Sequence, residues 1–131
     1  MTSSTLCSHE LKQMETAARI AERGYHHRGY RLGAVLVKNG SIIGIGWNQQ
    51  KTHPIMSRYH PFNTLHAEAA AMADAGLRHV DGATIYIARI GRRDDWRMAK
   101  PCRGCFSLLR EYGIKQVVWT ESGHQLGIFR S

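Results

Sequence analysis

Residues 66–120 read HAEAAAMADAGLRHVDGATIYIARIGRRDDWRMAKPCRGCFSLLREYGIKQVVWT. An alanine-rich segment from His66 to Ala75 ends at Gly76, the pattern of a helix with a C-terminal glycine stop. Its small side chains predict close packing against a sheet. ATIYIA at 83–88 is rich in β-formers, and Cys102 to Tyr112 predicts a second helix stopped by Gly113. Val117 to Thr120 is a further strand, and the charged segment Arg89 to Lys100 reads as a loop.

Upstream, Gly33–Lys38 and Ile42–Gly46 are β-rich runs joined at Asn39-Gly40, a dipeptide suited to the positive φ angles of a tight hairpin turn. A polar loop from Trp47 to about Leu65 follows, with prolines at 54 and 61. Glu10 to Arg23 predicts an amphipathic helix with Leu11, Met14, Ala18 and Ala21 on its apolar face and Gly24 as its stop. The order is helix, strand, strand, helix, strand, helix, strand. Strands linked through helices are expected to be parallel neighbours with right-handed crossovers, which makes residues 1–131 one α/β domain. Only 11 residues follow Thr120. A parallel fifth strand needs a crossover of about a dozen residues, so Gly123 is expected to turn the chain into an antiparallel strand with Leu126 and Ile128 on one face.

Composition narrows the class. The 131 residues are 43% hydrophobic and 21% charged, which fits a globular domain and excludes a disordered one. No apolar run approaches the ~20 residues of a spanning helix. Met1 to Glu10 lacks the basic flank and apolar stretch of a secretory signal, so a cytoplasmic location is expected. Three cysteines, Cys7, Cys102 and Cys105, fit a disulfide framework poorly. The net charge of +8 favours a phosphate-bearing partner, a nucleotide or a nucleic acid. Arg89, Arg92, Arg93, Arg97 and Lys100 precede the cysteine pair and read either as a contact for a substrate phosphate or nucleic-acid backbone or as a solvated loop, while Trp47 and Trp96 read as core or rim packing or as base-stacking candidates.

The chemistry-bearing residues fall into two clusters, His66-Ala67-Glu68 and Pro101-Cys102-Arg103-Gly104-Cys105. Both predicted helices start where a strand's C-terminal end has finished, so the topology brings their N-termini to one edge of the sheet, the edge where ligands bind in open α/β folds. One imidazole and two thiolates make a three-ligand Zn2+ set, with the cysteines at i and i+3 of a first helical turn. Helix N-termini favour thiolates, and Pro101 fits at or before the helix start. Three protein ligands leave the fourth position to water, the mark of a catalytic zinc. Glu68 is then the candidate proton carrier, provided that His66 sits at the loop-to-helix junction rather than inside the helix. Two rival readings stay open. One is a dithiol redox pair. The other is a structural zinc with a fourth ligand from Glu68, His53, His60 or His124.

His66-Ala67-Glu68 with Pro101-Cys102-x-x-Cys105 resembles the cytidine deaminase superfamily signature, and the likeness runs from about Gly33 to Thr120. The resemblance implies a three-layer α/β/α fold with a mixed sheet of about five strands. It implies that His66, Cys102 and Cys105 hold zinc while Glu68 shuttles protons. It further implies that Asn48 touches the substrate's sugar, that Ala67, Pro101 and Cys102 line the base, and that the protein assembles as a homo-oligomer. Thr64 matches a recurrent family position, and Lys51-Thr52-His53-Pro54 resembles a loop of phage-type deoxycytidylate deaminases. Pro-Cys-Arg-Gly-Cys-Phe-Ser departs from the Pro-Cys-Gly-x-Cys-Arg-Gln of cytidine deaminases proper. Within the superfamily an antiparallel fifth strand resembles the free-nucleoside enzymes, in conflict with the phage-like loop. The implied activity is hydrolytic removal of the amine from a cytosine-type nucleoside or nucleotide. A deaminase of single-stranded nucleic acid and a non-catalytic zinc module that binds nucleic acid are the alternatives.

Overall fold

The computed structural model describes residues 2–3, 8–24, 31–49, 65–93 and 95–131. In chain order the elements are β1 (Thr2–Ser3), α1 (Ser8–Ala21), β2 (Arg31–Lys38), β3 (Ser41–Trp47), α2 (Ala67–Ala75), β4 (Thr84–Ile90), β5 (Trp96–Arg97), α3 (Arg103–Glu111), β6 (Gln116–Glu121) and β7 (Gln125–Arg130). Asn39 and Gly40 take φ of 53° and 79°, as the β2–β3 hairpin requires. The strands form one mixed sheet in the order β1-β7-β6-β4-β2-β3, with β5 paired to β4. Five strands are long, and the two-residue β1 and β5 bring the total to seven among the described residues.

Side chains alternate across this sheet and sort the core into two layers. Val35, Val37, Tyr86, Ala88, Val118 and Leu126 pack with Met14, Ala17 and Ile20 of α1. Ala34, Leu36, Ile85, Ile87, Val117 and Trp119 pack beneath α2 and α3. The result is the expected α/β/α arrangement.

The close packing read from the alanines is real. A Cβ on Gly46 of β3 would lie 2.3 Å from Ala71 N and 2.6 Å from Ala67 O, and one on Gly44 would lie 2.5 Å from Ala71 O. The helix backbone therefore rests directly on the strand backbone. Asp74 of α2 also accepts a hydrogen bond from the Ile45 amide of this edge strand, at 2.9 Å.

Three expectations need correction. First, α2 carries the chain from β3 to β4, but β2 lies between them and pairs antiparallel with both. β3 and β4 therefore run in the same direction without being neighbours. The hairpin partner takes the inner place because its residues are apolar on both faces. β4 and β6 are parallel neighbours, as expected. Second, residues 89–100 are not a loop throughout. Arg89 and Ile90 complete β4 and pair with Arg97 and Trp96 of β5. Third, Leu11 is 42% exposed, and the buried face of α1 is carried by Met14, Ala17, Ile20 and Ala21. That face needs small residues because α1 passes so close to β2 that a Cβ on Gly33 would lie 2.2 Å from Ala17 O. Trp47 and Trp96 take the packing reading and belong to the α1-side layer. Trp47 sits 5.4 Å from the Arg23 guanidinium carbon, and Trp96 stacks on His124 with ring centroids 4.8 Å apart. β7 runs antiparallel to β6 after a turn with Gly123 at φ 73°, as the sequence predicts.

Gly46→Val places branched carbon against helix backbone that cannot step aside. It should lower unfolding stability by at least ~2 kcal/mol, read as the urea midpoint. Ile42→Thr, on the exposed surface of the same strand, should change stability by no more than ~0.5 kcal/mol.

Candidate metal centre

His66 immediately precedes α2 in an extended conformation, φ −72° and ψ 152°. Cys102 holds the same place before α3, with φ −69° and ψ 169°. Each carbonyl accepts the first helical bond, from Ala70 N and Phe106 N respectively, both at 2.9 Å. The predicted junction position of His66 is therefore met, which lets its imidazole and the Glu68 carboxyl approach one space despite their separation of two residues. On the upstream side, Gln49 and Leu65 exchange two backbone hydrogen bonds of 2.8 and 2.9 Å. This bridge fixes the residue before His66 to the residue after Asn48.

The two helix starts converge. His66 Nδ1 lies 3.2 Å from Cys105 Sγ and 4.0 Å from Cys102 Sγ. The three donor atoms all lie within 4.8 Å of one another. Ligand atoms at zinc bond lengths around one tetrahedral centre are ~3.5–3.8 Å apart, so the triad has the dimensions of a single ion's shell. Cys105 is fully buried and Cys102 is exposed. The cluster thus has an inner wall and an open side.

Electrostatics point the same way. A hydrogen bond with Cys102, burial and the nearby Glu68 charge push the Cys105 thiol far above the usual range. A hydrogen bond with Cys102 holds the His66 imidazole above its ordinary value; burial opposes this, and the charges of Glu68 and Cys102 support it. Glu68 is only 3% exposed, and burial pushes its carboxyl upward against the pull of its own backbone amide and of His66. Anionic groups packed this closely hold their protons until a cation replaces them, which is the behaviour of a metal-binding donor set.

The other sequence-predicted site residues fall nearby or elsewhere. Ala67 and Pro101 are buried beside the two junctions. Asn48 Oδ1 accepts a hydrogen bond from Leu32 N at 2.9 Å, which anchors it to β2. His124, stacked on Trp96, is not part of the cluster. Thr64, His53, His60, Cys7 and the Lys51–Pro54 loop lie outside the described residues. Sequence reading missed Thr120. Its hydroxyl is fully buried, donates to Arg97 O at 2.7 Å and accepts from Arg89 N at 3.1 Å, tying β6 to β4 and β5. A threonine ending a strand gives no sequence signal of that role.

Known proteins share both fold and motif. The family described as the cytidine and deoxycytidylate deaminase zinc-binding region matches residues 8–121. The riboflavin biosynthesis protein RibD of Aquifex aeolicus (strain VF5) is 30% identical over 113 aligned residues, a match that covers 80% of this chain and 26% of that protein. The chain thus spans about a quarter of that relative's length. The apo crystal structure of dCMP deaminase from the cyanophage S-TIM5 superposes with a TM-score of 0.67 at 23% identity, covering 91% of this chain and 87% of the other. The cytidine deaminase of Mycobacterium leprae superposes at 0.60 and 16% identity, covering 91% and 92%. With a match over most of its length and a His/Cys/Cys triad of zinc dimensions, this chain belongs to the cytidine and deoxycytidylate deaminase zinc-binding family.

Proposed function

We propose that this protein hydrolytically deaminates a cytosine-type nucleoside or nucleotide, with zinc held by His66, Cys102 and Cys105 and protons moved by Glu68. One observation carries the reading: three metal-donor atoms lie within 4.8 Å of one another, and a buried carboxyl stands two residues from one of them. When bound, the ion supplies Lewis acidity that makes water nucleophilic at neutral pH. The chain's own groups do the rest. Glu68 accepts a proton from the attacking water, delivers it to ring N3 and passes a further proton to the departing amine. Cytosine and water become uracil and ammonia. A carboxyl whose proton affinity is raised by burial suits this work, since it takes up a proton more readily than an ordinary carboxylate. Ala67 and Pro101 wall the base, and Asn48, anchored on Leu32 N, meets the sugar.

The complex of the cyanophage dCMP deaminase with dCMP and dUMP, at a TM-score of 0.67, supports the cytosine assignment. The exposed Arg92 and Arg93, in the segment that leads to the cysteine pair, favour a second reading, in which a single-stranded nucleic acid carries the base. A buried proton carrier speaks against a zinc module that only binds. Assembly as a homo-oligomer in the cytoplasm belongs to the same proposal. Among the described residues, no helix is long and apolar enough to cross a membrane.

The test incubates the zinc-loaded protein with cytidine, deoxycytidine, their monophosphates, a cytosine-containing oligonucleotide, guanine and adenosine, and assays ammonia and base products. Product from cytosine substrates is expected, and none from any of them overturns the reading. Glu68→Ala should retain one zinc per chain by elemental analysis and lose at least ~100-fold in turnover. His66→Ala and Cys105→Ser should both fail to retain zinc through dialysis.

The raised Glu68 carboxyl also predicts a pH effect on the chelator-treated protein. Folding favours its protonated form. That contribution is fully present below the unfolded carboxyl's pKa of ~4.3 and is lost as pH rises through the higher folded value. Glu68→Gln should therefore match wild type in stability near pH 4 and exceed it near pH 7, as followed by urea melts.

A further inference from the structure

The two ligands at the helix junctions are held from upstream by different means. His66 follows Leu65, whose backbone is bonded in both directions to Gln49. Cys102 follows a strap, residues 97–101, that is bonded to Thr120 of β6. The Thr120 hydroxyl donates to Arg97 O at 2.7 Å, and the Thr120 carbonyl accepts from Ala99 N at 2.9 Å. The same hydroxyl accepts from Arg89 N at 3.1 Å. Arg89 and Arg97 face each other across β4 and β5, so the hydroxyl stands between the amide and the carbonyl of a cross-strand pair. Only a group that both donates and accepts can take that place. Thr120 is fully buried and Ala99 nearly so, which keeps water from substituting for either bond.

Little freedom remains between this clamp and the sulfur. Two residues, Lys100 and Pro101, separate Ala99 from Cys102. The ring of Pro101 fixes its own φ and steers the residue before it away from helical backbone. Pro101 is buried, and Lys100 Nζ lies 5.9 Å over the ring of Trp119, the neighbour of Thr120. The position of Ala99 is thus passed on to Cys102. Cys105 has less need of such help, because it lies inside α3 and is fully buried. Cys102 is exposed and stands before the helix, so packing does less to place it.

We propose that Thr120 is a positioning residue for Cys102. By clamping the strap at Arg97 and Ala99, it sets the place of the exposed sulfur and tunes zinc affinity from a strand that supplies no ligand. This rests on the zinc-holding part of the reading above and not on the identity of the substrate.

The test compares wild type with Thr120→Val, which keeps the shape and removes the hydroxyl, and with Thr120→Ser, which keeps the hydroxyl. Zinc affinity is read by competition with a chromophoric chelator, and ligand geometry by the visible d–d bands of the cobalt-loaded protein. Thr120→Val should weaken zinc binding ~10-fold, the lower end of the range for losing support behind a metal ligand, and should alter the cobalt bands. Thr120→Ser should match wild type in both. Val118→Ala, which opens a cavity on the α1 side of the same strand, should lower the urea midpoint and leave zinc affinity unchanged. A lower urea midpoint in Thr120→Val with unchanged zinc affinity would show a purely structural role and overturn the proposal. So would a serine variant as weak as the valine one, or a Val118→Ala loss of affinity as large as that of Thr120→Val. If Thr120→Val does not fold, amide exchange in wild type decides. Because linkage is reciprocal, zinc should slow exchange at the Arg89 and Ala99 amides, and unchanged exchange there would overturn the proposal. A wild type that holds no zinc would mark failure of the metal reading itself, whereas tight zinc in both wild type and Thr120→Val would mark failure of the clamp alone.

Discussion

Contact of backbone on backbone between α2 and β3 is the constraint on which the site depends. Gly44 and Gly46 remove the side chains that would hold the helix off the sheet, and Ala67 and Ala71 do the same from the other side. The helix is lowered until its first turn reaches the sheet edge at the height of the α3 start. His66 and Cys102 are 36 residues apart in the chain, and their donor atoms meet because both helices begin at that level. A larger residue at any of these positions would tilt the helix and move the imidazole relative to both sulfurs. The packing of small residues and the geometry of the cluster are one arrangement seen at two scales.

That arrangement concentrates thiols and a carboxyl, which repel one another when ionised, around an imidazole. Two thiols, a buried carboxyl and an imidazole share a space from which much of the water has been removed. His66, Glu68 and Cys105 hold their protons more firmly than they would in solution. A divalent cation resolves the conflict by taking the thiols as thiolates, and the positive ends of two helices assist from behind. Glu68 stands beside the three donors rather than among them. It is therefore outside the donor set, as the proton role proposed for it requires.

Most of this was legible in the residues because the signals were local. Asn39-Gly40 states its turn, Gly76 and Gly113 end their helices, and the two motif halves announce a shared ion. The antiparallel β7 followed from chain length and Gly123. What escaped notice was non-local. Nothing in residues 33–46 says that β2 will be claimed by β4 as well as by β3. The hairpin arm at 89–97 was hidden by its charge, although Ile85, Ile87 and Arg89 continue one alternation and Ile90 remains buried. Its strand character is set by Arg97 and Trp96 returning along β4 and by the Thr120 hydroxyl that closes the gap beyond β6. Leu11 misled for the opposite reason: a single apolar residue at helical spacing carries no information about which side of a helix finds the sheet.

The Asp74 carboxylate takes the amide of Ile45 on the outermost strand. An open ladder rung is an invitation to any passing extended peptide. Here the helix that locates the metal cluster also occupies that rung, so the margin of the sheet nearest that helix is capped by the molecule itself. Lateral growth of the sheet on this side would first have to pull Asp74 away, and with it the helix that positions His66.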